Sequence, residues 1–308
     1  LLLWPALCAV RRLQPGLRIG LMGHLERCRL LAAPGGADEA LDIEGSGFHL
    51  LYQEHGSVPQ AFVRFEQVVV FSGPEHNLLE ENLRREFAGR INIFAPFPPP
   101  EERRHLADYL VECLSLVGLA QGGAWPKLPA SAEELARGRA ALEGTGSPSP
   151  VVIAPGSGSI HKNWPAEKFA RLIELAAKKG FEVVLLAGPA DERAVGEVEE
   201  KLPRSLPLLH CPDPASLKGA LALARLVIGN DSGPVHLAAL LGRPALAIFG
   251  PTDSRQWAPI GPRAGWVGPQ KTSCAPCLAE RMRSCPKKHC LEEISPERVW
   301  QAAEHLLQ

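Results

Sequence analysis

Short apolar runs alternate along the chain with segments whose apolar residues recur every three to four positions. The runs at 151–154, 181–186, 206–209, 226–228 and 245–249 are near-continuous rather than alternating, which predicts strands buried on both faces. Between them, 165–179 carries Phe169, Leu172, Ile173 and Ala176 at helical spacing, with Pro165 at its start and Gly180 at its stop. Residues 216–224 predict a short helix. Residues 295–306 predict a last one, striped by Val299, Ala302, Ala303 and Leu306. The first half repeats the rhythm more faintly, with strands at 17–22, 39–43, 68–71 and 91–94. Helices are expected near its start around 5–10 and at 75–87, then at 101–117 after the stiff connector 96–100, and at 131–142. Strand and helix alternating throughout is the pattern of an α/β protein with parallel sheets covered on both faces. Residues 143–150 have no apolar side chain to bury and are punctuated by Gly and Pro, which predicts a linker between two domains, 1–146 and 147–308.

Composition narrows the class. The chain has 308 residues, 45% of them hydrophobic and 22% charged, enough for two ordinary cores. A net charge of -1 without runs of Lys and Arg argues against nucleic acid as a partner. No stretch approaches the about 20 apolar residues that cross a bilayer. The apolar stretch at the start precedes Arg11 and Arg12, the reverse of a signal peptide's order. Nothing in the cysteine usage asks for an oxidising compartment, so a cytoplasmic location is expected.

Three turns follow predicted strands, where open parallel sheets bind ligands. The first, Pro155-Gly156-Ser157-Gly158-Ser159, offers backbone that a ligand can approach, two hydroxyls, and Lys162 shortly after. The second, 187–192, carries Glu192, placed to accept hydrogen bonds from ribose hydroxyls or simply to favour a helix start. The third is Asn230-Asp231-Ser232-Gly233-Pro234-Val235-His236, where Ser232 suits a helix cap and Pro234 a first helical turn. A helix start with small residues presents free N–H groups to a phosphate, and His236 adds a donor. Neither Walker spacing nor a dinucleotide glycine fingerprint is present, which counts against a nicotinamide-dependent oxidoreductase. Two anion-binding turns predict a nucleoside diphosphate.

The same stretches carry a resemblance. Pro155-Gly156-Ser157 with Lys162-Asn163-Trp164-Pro165, then the 230–236 motif, then Phe249-Gly250-Pro251-Thr252-Asp253, is similar in order and spacing to glycosyltransferase family nine, the heptosyltransferases. The resemblance spans roughly residues 150–307, with only the strand and helix rhythm shared before that. It implies a GT-B fold, two Rossmann-like doubly wound domains facing across a cleft, with the acceptor on the amino-terminal domain and the nucleotide sugar on the carboxyl-terminal one. It implies inverting, metal-independent transfer of a heptose or related sugar from a donor such as ADP-heptose, with no cofactor. The acceptor would be a lipid-linked lipopolysaccharide core, reached at the inner membrane surface. It assigns the diphosphate to Ser157, Gly158, Lys162, Ser232, Gly233 and His236, the ribose to Glu192, and the sugar hydroxyls to Asp231. The family's catalytic Asp lies in the turn after its first strand, and the resemblance puts both that strand and that base ahead of Leu1. The first Asp within the chain is Asp38, in a later loop. No catalytic residue is therefore assigned, and a non-catalytic nucleotide-sugar-binding fragment stands as the alternative. A nucleotide-sugar epimerase on the same two-domain fold is a further one.

Eight cysteines fall into two groups. Cys8, Cys28, Cys113 and Cys211 sit singly among apolar residues. Cys274, Cys277, Cys285 and Cys290 cluster with a spacing compatible with structural zinc. The expectation is a metal-free loop of reduced or paired cysteines packed under the donor site. Trp257 is expected on the loop beside the sugar or base, or in the core.

Overall fold

Six parallel strands organise the second half of the chain in the computed structural model, which describes residues 1–73, 77–99, 101–188, 191–277 and 279–308. They are β5 (Val151–Ala154), β6 (Val183–Ala187), β7 (Leu208–His210), β8 (Leu226–Asn230), β9 (Ala245–Ile248) and β10 (Ala264–Val267). Their numbering continues from four strands of the first half described below. Their order across the sheet is β10-β9-β8-β5-β6-β7. From β5 the chain winds outward through β6 and β7. It then crosses back to β8 on the other side of β5 and winds outward again. The crevice between the carboxyl ends of β5 and β8 is thus the point where strand order reverses, the usual ligand position of such sheets. Gly229 is required there: a Cβ would lie 2.6 Å from the carbonyl oxygen of Ala154 on the neighbouring strand.

The central strands β5, β8 and β9 are buried along their whole length. One face of the sheet packs on Phe169, Leu172, Ile173 and Ala176, the predicted stripe, and on Val299, Trp300 and Ala303 near the chain's end. At about 25 cal/mol per Å² of apolar area, this burial dominates the unit's stability. Strand β10 escapes the sequence pattern because it is an edge strand of Ala, Gly, Trp and Val whose Trp266 is half exposed. The short helices at Ser254–Trp257, Ala279–Ser284 and His289–Glu292 escape it for lack of any period.

The first half holds α1 (Trp4–Leu13), β1 (Gly20–Gly23), α2 (Leu25–Arg29), β2 (Glu39–Asp42), β3 (Gln67–Phe71), α3 (Asn77–Glu86), β4 (Arg90–Phe94) and α4 (Leu106–Leu116). The expected start of α3 at Glu75 and the end of the connector at Pro100 lie outside the described residues. Helix α4 begins at Leu106 rather than 101. Arg103 takes a left-handed φ of 44°, and His105 caps the helix by accepting from the Ala107 N–H at 3.2 Å. The alternation predicts one sheet here. Instead, among the described residues β1 pairs only with β2 and β3 only with β4, both in parallel. Met22 of β1 nevertheless shares a core with Val68 and Val70 of β3 and Ile91 and Ile93 of β4. Most residues of these four strands are only half buried.

The two units divide between Pro126 and Lys127, well ahead of the expected boundary at 146/147, with Leu1–Leu2 grouped with the second. The reason is α5 (Ala132–Glu143), which packs along α8 (Pro214–Leu223) of the second unit. The two helices approach through Gly138 and Gly219, so closely that a Cβ on Gly138 would lie 2.1 Å from the Gly219 carbonyl carbon. Lys218, 1% exposed, pairs with Glu134 at 2.9 Å beside that contact. The stretch read as a linker between domains also buries Thr145 and Ser147, the Thr145 hydroxyl donating to the Leu142 carbonyl at the end of α5.

Candidate functional site

Two of the predicted turns meet at the β5/β8 crevice. Asn230 ends β8, and its side chain is completely buried. Its Nδ2 donates to the Pro155 carbonyl at 2.6 Å, and its Oδ1 accepts from the Trp164 N–H at 2.9 Å. One amide therefore ties the 155–159 turn, the segment carrying Lys162 and the end of β8 together. The sequence marked Asn230 only as a turn residue. A short polar residue ending an otherwise apolar strand was the available signal.

Asp231 is the centre of the charged group. Its Oδ1 faces His236 Nε2 at 3.3 Å; its Oδ2 accepts from Lys162 Nζ at 3.2 Å and from the Thr252 hydroxyl at 2.9 Å. Lys162 also donates to the Asp231 carbonyl at 2.9 Å. Burial alone would raise this carboxyl. The hydrogen bond from His236, the charge of Lys162 and the Thr252 hydroxyl outweigh it and hold the group below the ordinary aspartate value. Asp231 is thus a fixed negative charge that keeps Lys162 at the mouth of the crevice.

Helix α9 (Gly233–Leu240) starts immediately after. Ser232 occupies the N-cap position with extended backbone, but its side chain makes no capping bond, contrary to expectation. Pro234 at the second helical position has no N–H to offer, so half of a cap's usual targets are gone. The Ser232 Oγ and the His236 Nδ1 are buried without a partner among the described residues. A Cβ on Gly233 would meet open space, as would one on Gly158 in the first turn. The helix start therefore has free N–H groups, an unused hydroxyl and room above its first residue, which suits an anion.

The other predicted residues are placed less centrally. Ser157 turns its hydroxyl into its own loop, toward the Ser159 carbonyl at 2.8 Å and Asn163 Oδ1 at 2.7 Å, so it shapes the turn rather than facing outward. Glu192 opens α7 (Glu192–Glu199) at the carboxyl end of β6, exposed and with no bond to another described side chain. The turn before it includes Pro189, outside the described residues. Its neighbour Asp191 packs against the turn after β5: a Cβ on Gly156 would fall 1.7 Å from its carboxylate, and burial raises that carboxyl. Trp257 is half buried on α10 (Ser254–Trp257).

The cysteine-rich segment contacts the segments that follow β9 and β5. The Cys277 N–H donates to the Pro251 carbonyl at 2.7 Å, and Lys288 Nζ to the Ile160 carbonyl at 2.6 Å. All eight cysteines are free thiols, and among the described residues no three His, Cys, Asp or Glu side chains gather as a metal site. Burial and the neighbouring Cys277 and Cys274 push the Cys290 thiol up to about 11. Glu293 holds the start of the segment, accepting from the N–H groups of Gln270, Lys271 and Thr272 and from the Thr272 hydroxyl.

The model of one family, glycosyltransferase family 9 (heptosyltransferase), matches residues 83–288. Lipooligosaccharide heptosyltransferase 2 of Campylobacter jejuni subsp. jejuni serotype O:2 is 29% identical over 153 residues, 47% of this chain and 47% of that protein. Lipopolysaccharide heptosyltransferase 3 of Escherichia coli is 35% identical over 113 residues, 35% of this chain and 33% of that protein. The chain thus spans half or less of the length of these curated relatives. Among solved structures, a glycosyl transferase family 9 protein from Veillonella parvula DSM 2008 superposes with a TM-score of 0.77 at 22% identity, covering 99% of this chain and 93% of that one. The E. coli ADP-heptose lps heptosyltransferase II superposes with a TM-score of 0.73 at 17% identity, covering 99% and 94%.

Proposed function

The chain belongs to glycosyltransferase family 9, the heptosyltransferase family, and from that premise we propose that its second unit binds a nucleotide-diphosphate sugar of the ADP-heptose type at the β5/β8 crevice. The observation that carries the reading is the convergence of Lys162, Asp231, His236 and the open start of α9 at the reversal point of the sheet. The diphosphate lies against the N–H groups and Ser232 at that helix start, within reach of Lys162, beside Gly158. Glu192 flanks the ribose. Asp231 accepts from the sugar.

Transfer to a lipopolysaccharide core hydroxyl is an inverting displacement: the acceptor oxygen bonds to the anomeric carbon and gives up its proton to solvent, the bond from that carbon to the phosphate oxygen breaks, and the nucleoside diphosphate departs with the electron pair. Negative charge grows on the departing oxygen, where Lys162 and the helix N–H groups stabilise it, the part a divalent cation plays elsewhere. We assign no catalytic base to this group of residues. A general base works best with a pKa near the operating pH, and the donors around Asp231 hold it far below that. Binding without turnover is the second reading.

The amino-terminal unit is the acceptor side in this reading. No helix among the described residues is long and apolar enough to cross a membrane. In this reading a lipid-linked acceptor is met at a membrane surface. Incubation with ADP-heptose and a truncated lipopolysaccharide acceptor tests the function. Release of ADP coupled to a heavier acceptor supports transfer. ADP-heptose binding without product supports the second reading, and neither binding nor product refutes both.

A further inference from the structure

The group around Asp231 includes a residue to which the turn chemistry gave no role. Thr252 follows β9, and its hydroxyl donates to Asp231 Oδ2 at 2.9 Å, on the oxygen that Lys162 also contacts at 3.2 Å. A carboxylate offers about four lone-pair sites, two on each oxygen. Among the described residues Oδ2 has both of its sites taken, and Oδ1 has one taken by His236. One acceptor site, on Oδ1, is left for a ligand hydroxyl.

We propose that Thr252 is a positioning residue for donor recognition: it fixes the Asp231 carboxylate so that Oδ1 reads a single hydroxyl of the transferred sugar. This rests on the reading of the crevice as a nucleotide-sugar site. Lys162 cannot do the same job throughout. Its ammonium is the mobile cation that the diphosphate attracts, and any movement toward phosphate weakens its hold on Oδ2. Thr252 has no competing duty. Its turn is braced by the Cys277 N–H on the Pro251 carbonyl at 2.7 Å and by Asp253, which caps α10 through the Arg255 N–H at 3.0 Å. Gly250 is closed in from beneath, since a Cβ there would meet the Leu291 side chain at 2.4 Å. The hydroxyl is therefore delivered from a rigid corner, whatever Lys162 does.

The assignment separates two affinities. ADP lacks the sugar and does not use Oδ1, whereas ADP-heptose does. Calorimetric titration of both ligands into the wild type, Thr252→Val and Thr252→Ser tests it. In Thr252→Val, a near-isosteric change, ADP-heptose should weaken by about tenfold, the worth of one charge-assisted hydrogen bond. ADP should bind as before, and Thr252→Ser should restore most of the difference. Equal weakening of both ligands in Thr252→Val would mean a merely structural role and would overturn the assignment, as would an unchanged ratio of the two affinities. Failure of the wild type to bind either ligand would overturn the donor-site reading and this assignment with it.

Discussion

Replacing Asn230 by Ala should both destabilise the second unit and disable its crevice. The side chain is fully buried and serves two main-chain groups, the Pro155 carbonyl at 2.6 Å and the Trp164 N–H at 2.9 Å. Pro155 and Trp164 are themselves buried, so water cannot take over either bond. An unsatisfied buried polar group costs about 1–3 kcal/mol, so the two together cost roughly 2–6 kcal/mol. For a domain of this size each kcal/mol lowers Tm by about 2–4 °C, which gives a drop on the order of 5–20 °C. Asn230→Asp is a sharper probe. It keeps an acceptor for the Trp164 N–H but sets a carboxylate oxygen against the Pro155 carbonyl, and it should be at least as damaging at neutral pH. Thermal unfolding followed by circular dichroism, with ADP titration of the folded protein at low temperature, reads both effects. A Tm within 2 °C of wild type in Asn230→Ala, together with unchanged ADP affinity, would refute the idea that this amide holds the two turns in place.

Other outcomes follow from the same geometry. Gly138→Ala should destabilise the second unit by about 1–3 kcal/mol or more, because its Cβ would meet Gly219 backbone at 2.1 Å; an unchanged Tm would place α5 outside that unit. Asp231 contributes stability that is complete above the ordinary aspartate value of about 3.9 and is lost as pH falls through its lower folded value. The Asp231→Asn variant should therefore show a flatter loss of Tm below pH 4 than the wild type. Glu293, lowered to about 2 by the Thr272 hydroxyl and the Gln270 and Lys271 N–H groups, should hold 270–272 above the ordinary glutamate range and release it in strong acid. Glu293→Gln should speed amide exchange at those three residues at neutral pH, and equal exchange rates would contradict that role.

Much of the second unit was legible because its strands are continuous apolar runs and its helices carry Pro, Ser or Gly punctuation where they start and stop. The stripe of α6 (Ala166–Lys178), the start at Ser295-Pro296 and the α9 corner all follow from that local chemistry. What escaped depends on partners distant in sequence. Edge strand β10 packs on one side only, so it lacks the buried-strand signal. Helix α5 reads as a helix, but its docking on α8 turns on a glycine pair eighty-odd residues apart, which no local pattern announces. The site divides the same way. Lys162, Gly233 and His236 were expected at a diphosphate and Asp231 at sugar hydroxyls, but the sequence did not show that Lys162 and His236 both hold Asp231. Asn230 matters through two long-range hydrogen bonds and Thr252 through one, and Pro234, two residues after Ser232, removes one of that cap's two usual targets. The half-buried strands of the first unit carry no cluster that points to chemistry, and its reading rests on the family.

The central claim is that the crevice between β5 and β8 is a nucleotide-diphosphate-sugar site. Calorimetric titration of ADP-heptose into the purified chain, beside Lys162→Ala and Asp231→Asn, tests it most directly. The account predicts one site per chain, with affinity at least tenfold weaker in each variant. Absence of binding to the folded wild type, or binding that both variants leave unchanged, would contradict it.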